Sequence, residues 1–395
     1  MESQIAIQAK ALQDQLVAWR REFHQCPELK MDTPITSGKI ENILRQIGIT
    51  DIRTHVGGNG VCCVIHGKYP GKCLGIRADC DGLPIKEETG LPFASTNGNM
   101  HACGHDAHTS MALGAAKLIF EHRNELKGKV KMIFQPFEEG DGGAKAMIAD
   151  GVLENPYVDA LIALHTGNLM GNNFQSGDIC YHPEYSSFAT RSFWVNFKGR
   201  SCHVCAPQLG VDPVMAACTA VMQLQVLITK EREPSQPGIV SVQMIHGGAR
   251  NNMIPDECRI DGSIRSTSKY MQDYYFQRVN EICTAVANGM RCTVEIGCPF
   301  NLMPTVNDNT MVEKFLTVAP KIVPEENIKQ IHNLQPIGED FARFADVRPS
   351  IYFFHCSSLK NVENYPHHSN KFNIDESTLW SGTGIFAQFA LDWQK

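Results

Sequence analysis

Apolar, strand-like runs alternate with helical segments along the first half of the chain. Residues 129–137 and 158–165 have the composition of buried strands, and a helix from about Gly143 separates them. A strand–helix–strand unit of this kind places its two strands parallel, with the helix on one face of the sheet. We therefore predict an α/β domain, whose sheet also contains the β-rich runs at 61–66 and 72–77.

Helical segments flank these strands. Residues 1–46 show the three- and four-residue apolar spacing of an amphipathic helix, with a break at Pro27. A further helix is predicted to begin at Asp106, because a short acidic side chain is a good N-cap. The C-terminal part adds predicted helices at 311–322, 338–345 and 376–393 and a strand at 350–354.

The pattern changes after about residue 185. Strands and helices then follow in the order βαββαβ, which is the order of the ferredoxin-like unit. The predicted strands are 193–198, 239–245, 258–265 and 293–298, and the predicted helices are 213–230 and 268–289. We predict an α+β ferredoxin-like domain at 186–300, inserted into a larger α/β domain of residues 1–185 and 301–395 with a mixed, mainly parallel sheet.

Length and charge limit the class of protein. A chain of 395 residues exceeds what one hydrophobic core usually organises, which favours two domains. The net charge of −6 and the lack of a basic run argue against a nucleic-acid partner. No run approaches the roughly 18 apolar residues of a membrane span, and the N-terminus lacks a signal-peptide core. Fifteen cysteines scattered through apolar runs are typical of a reducing compartment, so we expect a cytoplasmic protein.

The segment with the densest chemistry is Met100-His-Ala-Cys-Gly-His-Asp-Ala-His108. Cys103 and His105 stand two residues apart around a glycine, so a turn can direct both side chains to one ion. A thiolate with an imidazole suits Zn²⁺ or a similar borderline cation. A solvated, His-rich surface loop is the alternative for this segment alone.

Two consecutive carboxylates, Glu138 and Glu139, follow a predicted strand. Neighbouring side chains at a strand end point to different sides, so one acid can bind a metal while the other accepts a proton from an activated water. An isolated Glu-Glu pair is usually surface charge. Here the pair lies at the carboxyl edge of a strand, where α/β sheets place their sites.

Other histidines are ambiguous on their own. His165 ends an apolar strand, and His367 and His368 are consecutive near the C-terminus. A lone histidine at such a position is more often structural than a ligand. Ligands at several strand ends are nevertheless what a metal site on a parallel sheet requires.

The inserted domain contributes three further candidates. His203 follows a predicted strand, while Asn252 and Arg265 bracket another. A guanidinium pairs with a carboxylate in bidentate fashion, so this Asn and Arg could bind a substrate carboxylate. The alternative is that Asn252 forms a turn before Pro255 and that Arg265 is a surface residue.

Taken in order, the motifs resemble the M20 metallopeptidase clan. The resemblance is to its amidohydrolase subfamily of hippurate hydrolases, auxin-conjugate hydrolases and N-acyl-amino-acid amidohydrolases, and it runs nearly end to end. The matching segments are Arg20-Arg-Glu-Phe-His-Gln-Cys-Pro-Glu-Leu29, Arg77-Ala-Asp-Cys-Asp-Gly-Leu-Pro84, His101-Ala-Cys-Gly-His-Asp106, Phe134-Gln-Pro-Phe-Glu-Glu-Gly140, Ala163-Leu-His165, His203 to Pro207, Asn252-Met-Ile-Pro255, Gly338-Glu-Asp-Phe341, His368-Ser-Asn-Lys-Phe372 and Asp375-Glu376.

The resemblance implies a role for each candidate. Cys103 would bridge two divalent cations (Mn, Zn, Co or Ni), with His105 and Glu139 on one side and His165 and His368 completing the shells. The spacing to Phe372 selects His368 over His367. Glu138 would be the general base. The inserted domain would be a lid, with His203 stabilising the oxyanion and Asn252 and Arg265 binding the substrate carboxylate. Asp79 and Asp81 would support the ligands.

The activity implied is hydrolysis of the amide bond of N-acyl or N-aroyl amino acids. An N-acetyl-diaminopimelate deacetylase, an aminobenzoyl-glutamate hydrolase and a dipeptidase share these residues and stay open as alternatives. A non-catalytic relative that binds a metal or a ligand is the alternative from another class. The lid domain would also be a candidate surface for homodimer formation.

Overall fold

The computed structural model describes residues 3–140, 142–169, 174–234, 236–332 and 336–395. Backbone contacts divide the chain into two compact units. The first unit comprises residues 1–186, 305–335 and 339–395, and the second comprises residues 187–304 and 336–338. The second unit is therefore an insertion to which the chain returns briefly at residues 336–338.

The elements of both units are numbered in chain order. The strands are β1 (Ile52–Val56), β2 (Gly60–His66), β3 (Tyr69–Asp79), β4 (Lys127–Gln135), β5 (Ala160–Gly167), β6 (Ile179–Tyr181), β7 (Ala189–Lys198), β8 (Cys202–His203), β9 (Gly238–Gly247), β10 (Met253–Ile254), β11 (Glu257–Ser266), β12 (Thr293–Leu302), β13 (Ile328–Gln330) and β14 (Ser350–Cys356). The helices are α1 (Gln4–Ala11), α2 (Gln13–His24), α3 (Pro34–Ile47), α4 (His105–Glu121), α5 (Gly143–Ala149), α6 (Pro213–Leu224), α7 (Val226–Thr229), α8 (Lys269–Gly289), α9 (Asn309–Val318), α10 (Ala342–Ala345) and α11 (Leu379–Asp392). Short 3-10 turns lie at Pro207–Leu209, Ala319–Lys321, Glu325–Asn327 and Glu376–Thr378.

The first unit is built on an eight-stranded sheet of order β1-β2-β4-β3-β5-β14-β6-β13. Its central strands β4, β3, β5 and β14 run parallel, whereas β1–β2, β2–β4 and β14–β6 are antiparallel pairs. Strand β5 is buried along its whole length, as a strand covered on both faces must be. Helix α4 is buried almost throughout because it packs on β3 and against α2 and α11. The predicted mixed, mainly parallel α/β sheet is confirmed.

The second unit is an antiparallel sheet of order β12-β7-β11-β9. This is the strand order of the predicted ferredoxin-like unit. Helices α6 and α8 pack on it and bury one stripe each, represented by Ala217 and Ala220 on α6 and by Val279 on α8. These residues meet Phe193 and Val195 of β7 in a separate core.

Several predicted boundaries were wrong. Helix α4 begins at His105 after Gly104, whose φ of 87° suits a glycine, so Asp106 is not its N-cap. The predicted helix at 338–345 shrinks to α10, because Asp340 uses its carboxylate to accept hydrogen bonds from Gln135 and from the backbone of Ala144. The helix predicted at 213–230 divides at Gln225, and the N-terminal helical region divides at Leu12 as well as after His24.

All fifteen cysteines are free thiols, and most of them are buried. Within the described ranges, the helices are either too short or too polar to cross a lipid bilayer.

Candidate metal centre

Parallel pairing brings the ends of three strands to one edge of the sheet of the first unit. Asp79 at the end of β3 pairs with Gln135 of β4, and Arg77 pairs with Ala163 of β5. The residues that follow these strands therefore lie side by side. The N-terminus of α4 and the loop after β14 meet the same edge, where they contribute the donors described next.

The five predicted ligands converge there. The Cys103 Sγ lies 3.4 Å from Nε2 of His165. Nε2 of His105 lies 3.9 Å from Oε1 of Glu139, and Nε2 of His368 lies 3.3 Å from Oε2 of the same carboxylate. Donor atoms on one cation stand about this far apart when each is bound at roughly 2.0–2.3 Å. The structure thus brings together all five predicted ligands.

Backbone carbonyls fix the tautomers of two of these histidines. Nδ1 of His105 lies 3.0 Å from the carbonyl oxygen of Asp81, and Nδ1 of His165 lies 2.7 Å from that of Thr166. Because a carbonyl can only accept, each Nδ1 carries a proton, and in the neutral ring the lone pair is therefore on Nε2. Both free lone pairs are on the nitrogens that face Cys103 and Glu139.

Asp81 also holds the Glu138–Glu139 turn. Its two carboxylate oxygens accept the backbone N–H groups of Glu138 at 3.0 Å and Glu139 at 3.3 Å. The turn enters through Phe137 at a φ of 58°, a strained value for a residue with a side chain. The Phe137 ring covers Gly140 and Gly142, where a Cβ would lie 2.0 and 2.4 Å from ring atoms. These contacts hold the backbone of the turn that carries the two acids.

One supporting residue was missed in the sequence. His108 lies on α4, with Nδ1 2.5 Å from Oδ1 of Asp79 and with Nε2 accepting the backbone N–H of Thr166 at 2.8 Å. It therefore links Asp79 to the residue whose carbonyl holds His165. A histidine three residues after His105 was visible in the sequence, but its partners are 29 and 58 residues distant along the chain.

Glu138 stands among other acids. Burial, followed by the charges of Glu339, Glu139 and Asp340, raises the pKa of Glu138 well above its usual range. The Glu139 carboxylate behaves oppositely, because His368 and His105 outweigh the burial that disfavours its charge and lower its pKa. The two adjacent acids thus differ in proton affinity.

The residues present fit a divalent cation. Nε2 of His105 and Oε1 of Glu139 are buried and lack a hydrogen bond within the described ranges. Burial lowers the pKa of His105, but Asp79, Asp81 and Glu139 outweigh it and raise it to about 10. Burial and the nearby Glu139 and Glu138 raise the pKa of the Cys103 thiol. The pocket is thus rich in negative charge that a cation would neutralise, and thiolate, imidazole and carboxylate are the donors of such ions.

The consecutive histidines divide between two donor groups. His367 has a ring nitrogen within 4.8 Å of potential ligand atoms of Cys103 and His165. His368 has a ring nitrogen within 4.8 Å of potential ligand atoms of Cys103 and Glu139. The side chain of His368 is 52% exposed, so it borders the open side of the site.

The three candidates of the second unit do not meet at one point. His203 and Met253 are partners in the β8–β10 pair, so Asn252 lies beside His203, and both are exposed. Arg265 is near the other end of β11 and donates to Thr190 at 2.5 Å. Arg265 is eight residue steps beyond Glu257 along β11, which is roughly 26 Å at about 3.3 Å per residue. Asn252 and Arg265 of one chain therefore cannot bind the same carboxylate.

A buried thiol, imidazoles and a carboxylate at the carboxyl edge of an α/β sheet, beside a second acid, define a metal-dependent hydrolase. The family model for peptidase family M20/M25/M40 matches residues 75–392, and the chain belongs to this family. The chain is 31% identical over 392 residues to thermostable carboxypeptidase 1 of Saccharolobus solfataricus, covering 97% of this chain and 96% of the relative. It is 32% identical over 378 residues to the N-acetyl-L-cysteine deacetylase of Bacillus subtilis, covering 94% and 86%.

A solved structure agrees with these relatives. The YXEP protein of Bacillus subtilis, a dinuclear metal binding peptidase from the M20 family, superposes with a TM-score of 0.82. It is 30% identical, and the match covers 97% of this chain and 98% of that one. The family prediction is confirmed, and the candidate ligand groups together with this neighbour support divalent metal ions as cofactors.

Proposed function

We propose that the chain hydrolyses the amide bond of N-acyl or N-aroyl amino acids. The observation that carries the proposal is the convergence of Cys103, His105, Glu139 and His165 beside Glu138, a partly buried acid with a raised pKa. Amide hydrolysis needs an activated water and a base within reach of it. The relatives named as a deacetylase and a carboxypeptidase support an amide substrate with a free carboxylate nearby.

We assign the cations to two donor groups that share Cys103. His105 and Glu139 belong to one group and His165 to the other, with His368 completing the shells. When bound, two such cations supply a water of lowered pKa and polarise the scissile carbonyl. The backbone carbonyls of Asp81 and Thr166 hold the imidazoles in the tautomer that leaves Nε2 free to bind.

Glu138 accepts the proton of the attacking water and later delivers it to the leaving amine. Its position depends on Asp81, which accepts the backbone N–H of Glu138, and on the backbone N–H of Asp340, which lies 3.4 Å from its Oε1. The pKa of Glu138 is raised, so the side chain is suited to hold a proton between the two steps.

We further assign His203 to stabilisation of the oxyanion and Arg265 to the substrate carboxylate. Arg265 is half-buried, and burial lowers its pKa without removing its charge at neutral pH. Asn252, which lies beside His203, binds substrate at that end of the second unit rather than together with Arg265.

The substrate class is tested by a hydrolysis panel read by mass spectrometry. Protein stripped with chelator is reloaded with Mn²⁺, Zn²⁺, Co²⁺ or Ni²⁺ and offered acetyl, benzoyl, indole-acetyl and aminobenzoyl conjugates, N-acetyl-diaminopimelate and dipeptides. Cleavage of N-acyl or N-aroyl amino acids ahead of dipeptides supports the proposal. Failure to cleave any N-acyl amino acid with any of the metals would overturn it, and a preference for dipeptides would favour the peptidase alternative.

The base is tested by Glu138→Gln. The amide cannot accept a proton, so turnover should fall by about 10²- to 10⁴-fold, the usual contribution of a general base. Both cations should still bind, because Glu138 is not among the assigned ligands. Glu41→Gln, on the exposed Glu41–Arg45 pair of α3, is the matched control and should keep wild-type turnover. Unchanged turnover in Glu138→Gln would show that the assigned base is wrong.

A further inference from the structure

The loop after β14 presents two consecutive imidazoles to the same site. Consecutive side chains on extended backbone point to opposite sides. His368 departs from that pattern with a φ of 65°, and its backbone N–H donates to the carbonyl of Ala102 at 2.9 Å. The left-handed turn lets both His367 and His368 face the segment that carries Cys103.

His367 has the surroundings of a ligand rather than of a packing residue. Its ring lies 5.2 Å from that of His165 and 4.5 Å from that of Phe372. Both ring nitrogens are buried without a well-formed hydrogen bond within the described parts of the chain, although the backbone of Cys103 lies beside them. A buried imidazole with two unsatisfied nitrogens is costly unless something else binds it.

The opposite wall is shaped around this ring. Gly167 ends β5 at a φ of 120°, and a Cβ there would lie 2.2 Å from Nε2 of His367. The absence of a side chain at Gly167 is therefore what allows His367 to reach Cys103 and His165.

We propose that His367 is a sixth protein ligand of the metal centre. His367 joins Cys103 and His165 on one cation, and His368 joins Cys103 and Glu139 on the other, near His105. The two consecutive histidines thus serve different cations, and the loop that carries them holds both ions. This assignment rests on the dinuclear centre of the proposed function and specifies which cation His368 would bind.

The test counts cations without reference to catalysis. Chelator-stripped protein is titrated with Co²⁺, which reports thiolate ligation by charge-transfer absorption, and with Zn²⁺ in a calorimeter. Wild type should bind two equivalents tightly. His367→Leu should keep one tight equivalent and bind the second at least about 100-fold more weakly, because losing only an outer-shell partner already costs about 10- to 100-fold.

The neighbouring residue supplies the discriminating control. His368→Leu should also keep one tight equivalent, and the double variant should keep none, because the two residues hold different cations. Retention of one tight equivalent by the double variant would mean that both serve the same cation. That result, or wild-type binding within about twofold in His367→Leu, would overturn the assignment.

A structural role for His367 is tested separately. His367→Gly should bind its second cation weakly, and added imidazole should restore the binding by filling the vacated volume. With excess chelator, the melting temperatures of wild type and His367→Leu should agree, because no cation is then present for His367 to bind. A lower melting temperature in chelator without rescue by imidazole would assign His367 to packing instead.

The outcomes also separate this assignment from the proposed function. If His367→Leu binds two cations while wild type hydrolyses N-acyl amino acids, only the ligand assignment fails. If wild type binds two cations and His367→Leu one, but no amide is cleaved, the ligand assignment stands and the proposed substrate class fails.

Discussion

His105 and Asp106 are consecutive residues in the first turn of α4, yet they face two buried polar clusters of different character. Asp106 belongs to the ion-paired cluster, defined by Arg20, His24, Glu87, Asp106 and Glu376. His105 belongs to the metal-facing cluster, defined by Cys103, His105, Glu139 and His165. Both clusters lie in the first unit and both are rich in titratable groups. They differ in how their polar atoms are satisfied.

In the ion-paired cluster, opposite charges meet directly. Nε of Arg20 donates to Asp106 at 2.9 Å, and its Nη1 donates to Glu376 at 2.9 Å. His24 contacts Asp106 at 2.7 Å and Glu87 at 3.2 Å. Burial disfavours the charge of Asp106, but Arg20 and His24 outweigh it and lower its pKa. Each acid here is paired with Arg20 or His24 without a bound ion, and Nη2 of Arg20 is the one buried polar side-chain atom of the cluster without a hydrogen bond within the described residues.

In the metal-facing cluster, the potential ligand atoms lie close to one another and are not all paired with hydrogen-bond partners. Oε1 of Glu139 and Nε2 of His105 lie 3.9 Å apart, and neither has a hydrogen bond to any described residue. Unsatisfied nitrogens alone do not mark a site. Within the described residues, both ring nitrogens of His101 are buried without a hydrogen bond, yet His101 belongs to none of the candidate ligand groups. A metal site is marked by unsatisfied atoms that also converge.

The sharpest test of the ion-paired cluster is Arg20→Met. The variant leaves the Asp106 carboxylate buried without its main counter-charge, so the free energy of unfolding should fall by about 3–5 kcal/mol. Urea unfolding of the chelator-treated protein measures this loss without a contribution from cations. Arg45→Met, on an exposed pair with Glu41, is the control and should change the free energy by less than about 0.5 kcal/mol. Equal effects of the two variants would contradict a structural role for this cluster.

Cys103→Ala in the metal-facing cluster should reduce the stabilisation by bound cations and not the stability of the metal-free protein. Loss of the shared thiolate should weaken both cations by at least about 100-fold, because even outer-shell changes cost about 10- to 100-fold. Saturation at 100 times Kd stabilises wild type by about 2.7 kcal/mol per site, and the variant should lack that gain. Melting curves with and without Zn²⁺ measure the difference. Destabilisation that persists in chelator would mean that the thiol serves packing.

Asp81→Asn should give a smaller change confined to the same cluster. The Asn side chain keeps one oxygen that can accept one of the two backbone N–H groups, but its NH₂ group faces the other N–H group. The backbones of Glu138 and Glu139 are then no longer both held by residue 81. We expect cation affinity to fall by about 10- to 100-fold, the usual cost of an outer-shell change. Calorimetric titration with Zn²⁺ checks this, with Asp150→Asn on an exposed pair as the control. Wild-type affinity in Asp81→Asn would remove Asp81 from the supporting shell.

The two clusters also differ in how far the sequence predicts them. Glu139 and His165 follow apolar runs, so strand periodicity places them at one sheet edge before any coordinates are known. Arg20 and Asp106 are 86 residues apart on two helices, and no local pattern pairs them. The same holds for His108, whose partners Asp79 and Thr166 lie on different strands.

Local patterns also failed where tertiary contacts decide the backbone. The sequence pattern predicts a helix that includes Asp340, but the carboxylate of Asp340 binds Arg77 and Gln135, and the segment before Ala342 is not helical. The three-residue strands β6 and β13 have too few residues to show a period of two. Spacing alone could not show that Asn252 and Arg265 lie towards opposite ends of β11, since that depends on the extended strand between them.

The smallest expected effect comes from the rim of the ion-paired cluster. Glu376 is 15% exposed and contacts both the buried Arg20 and the exposed Arg21. Glu376→Gln keeps an oxygen that can accept from Arg20 and leaves Asp106 in place, so the loss should be about 1 kcal/mol or less, as for other pairs that reach solvent. Urea unfolding in chelator, repeated at high salt, measures it. A loss comparable with that of Arg20→Met would mean that Glu376, and not Asp106, is the main counter-charge of Arg20.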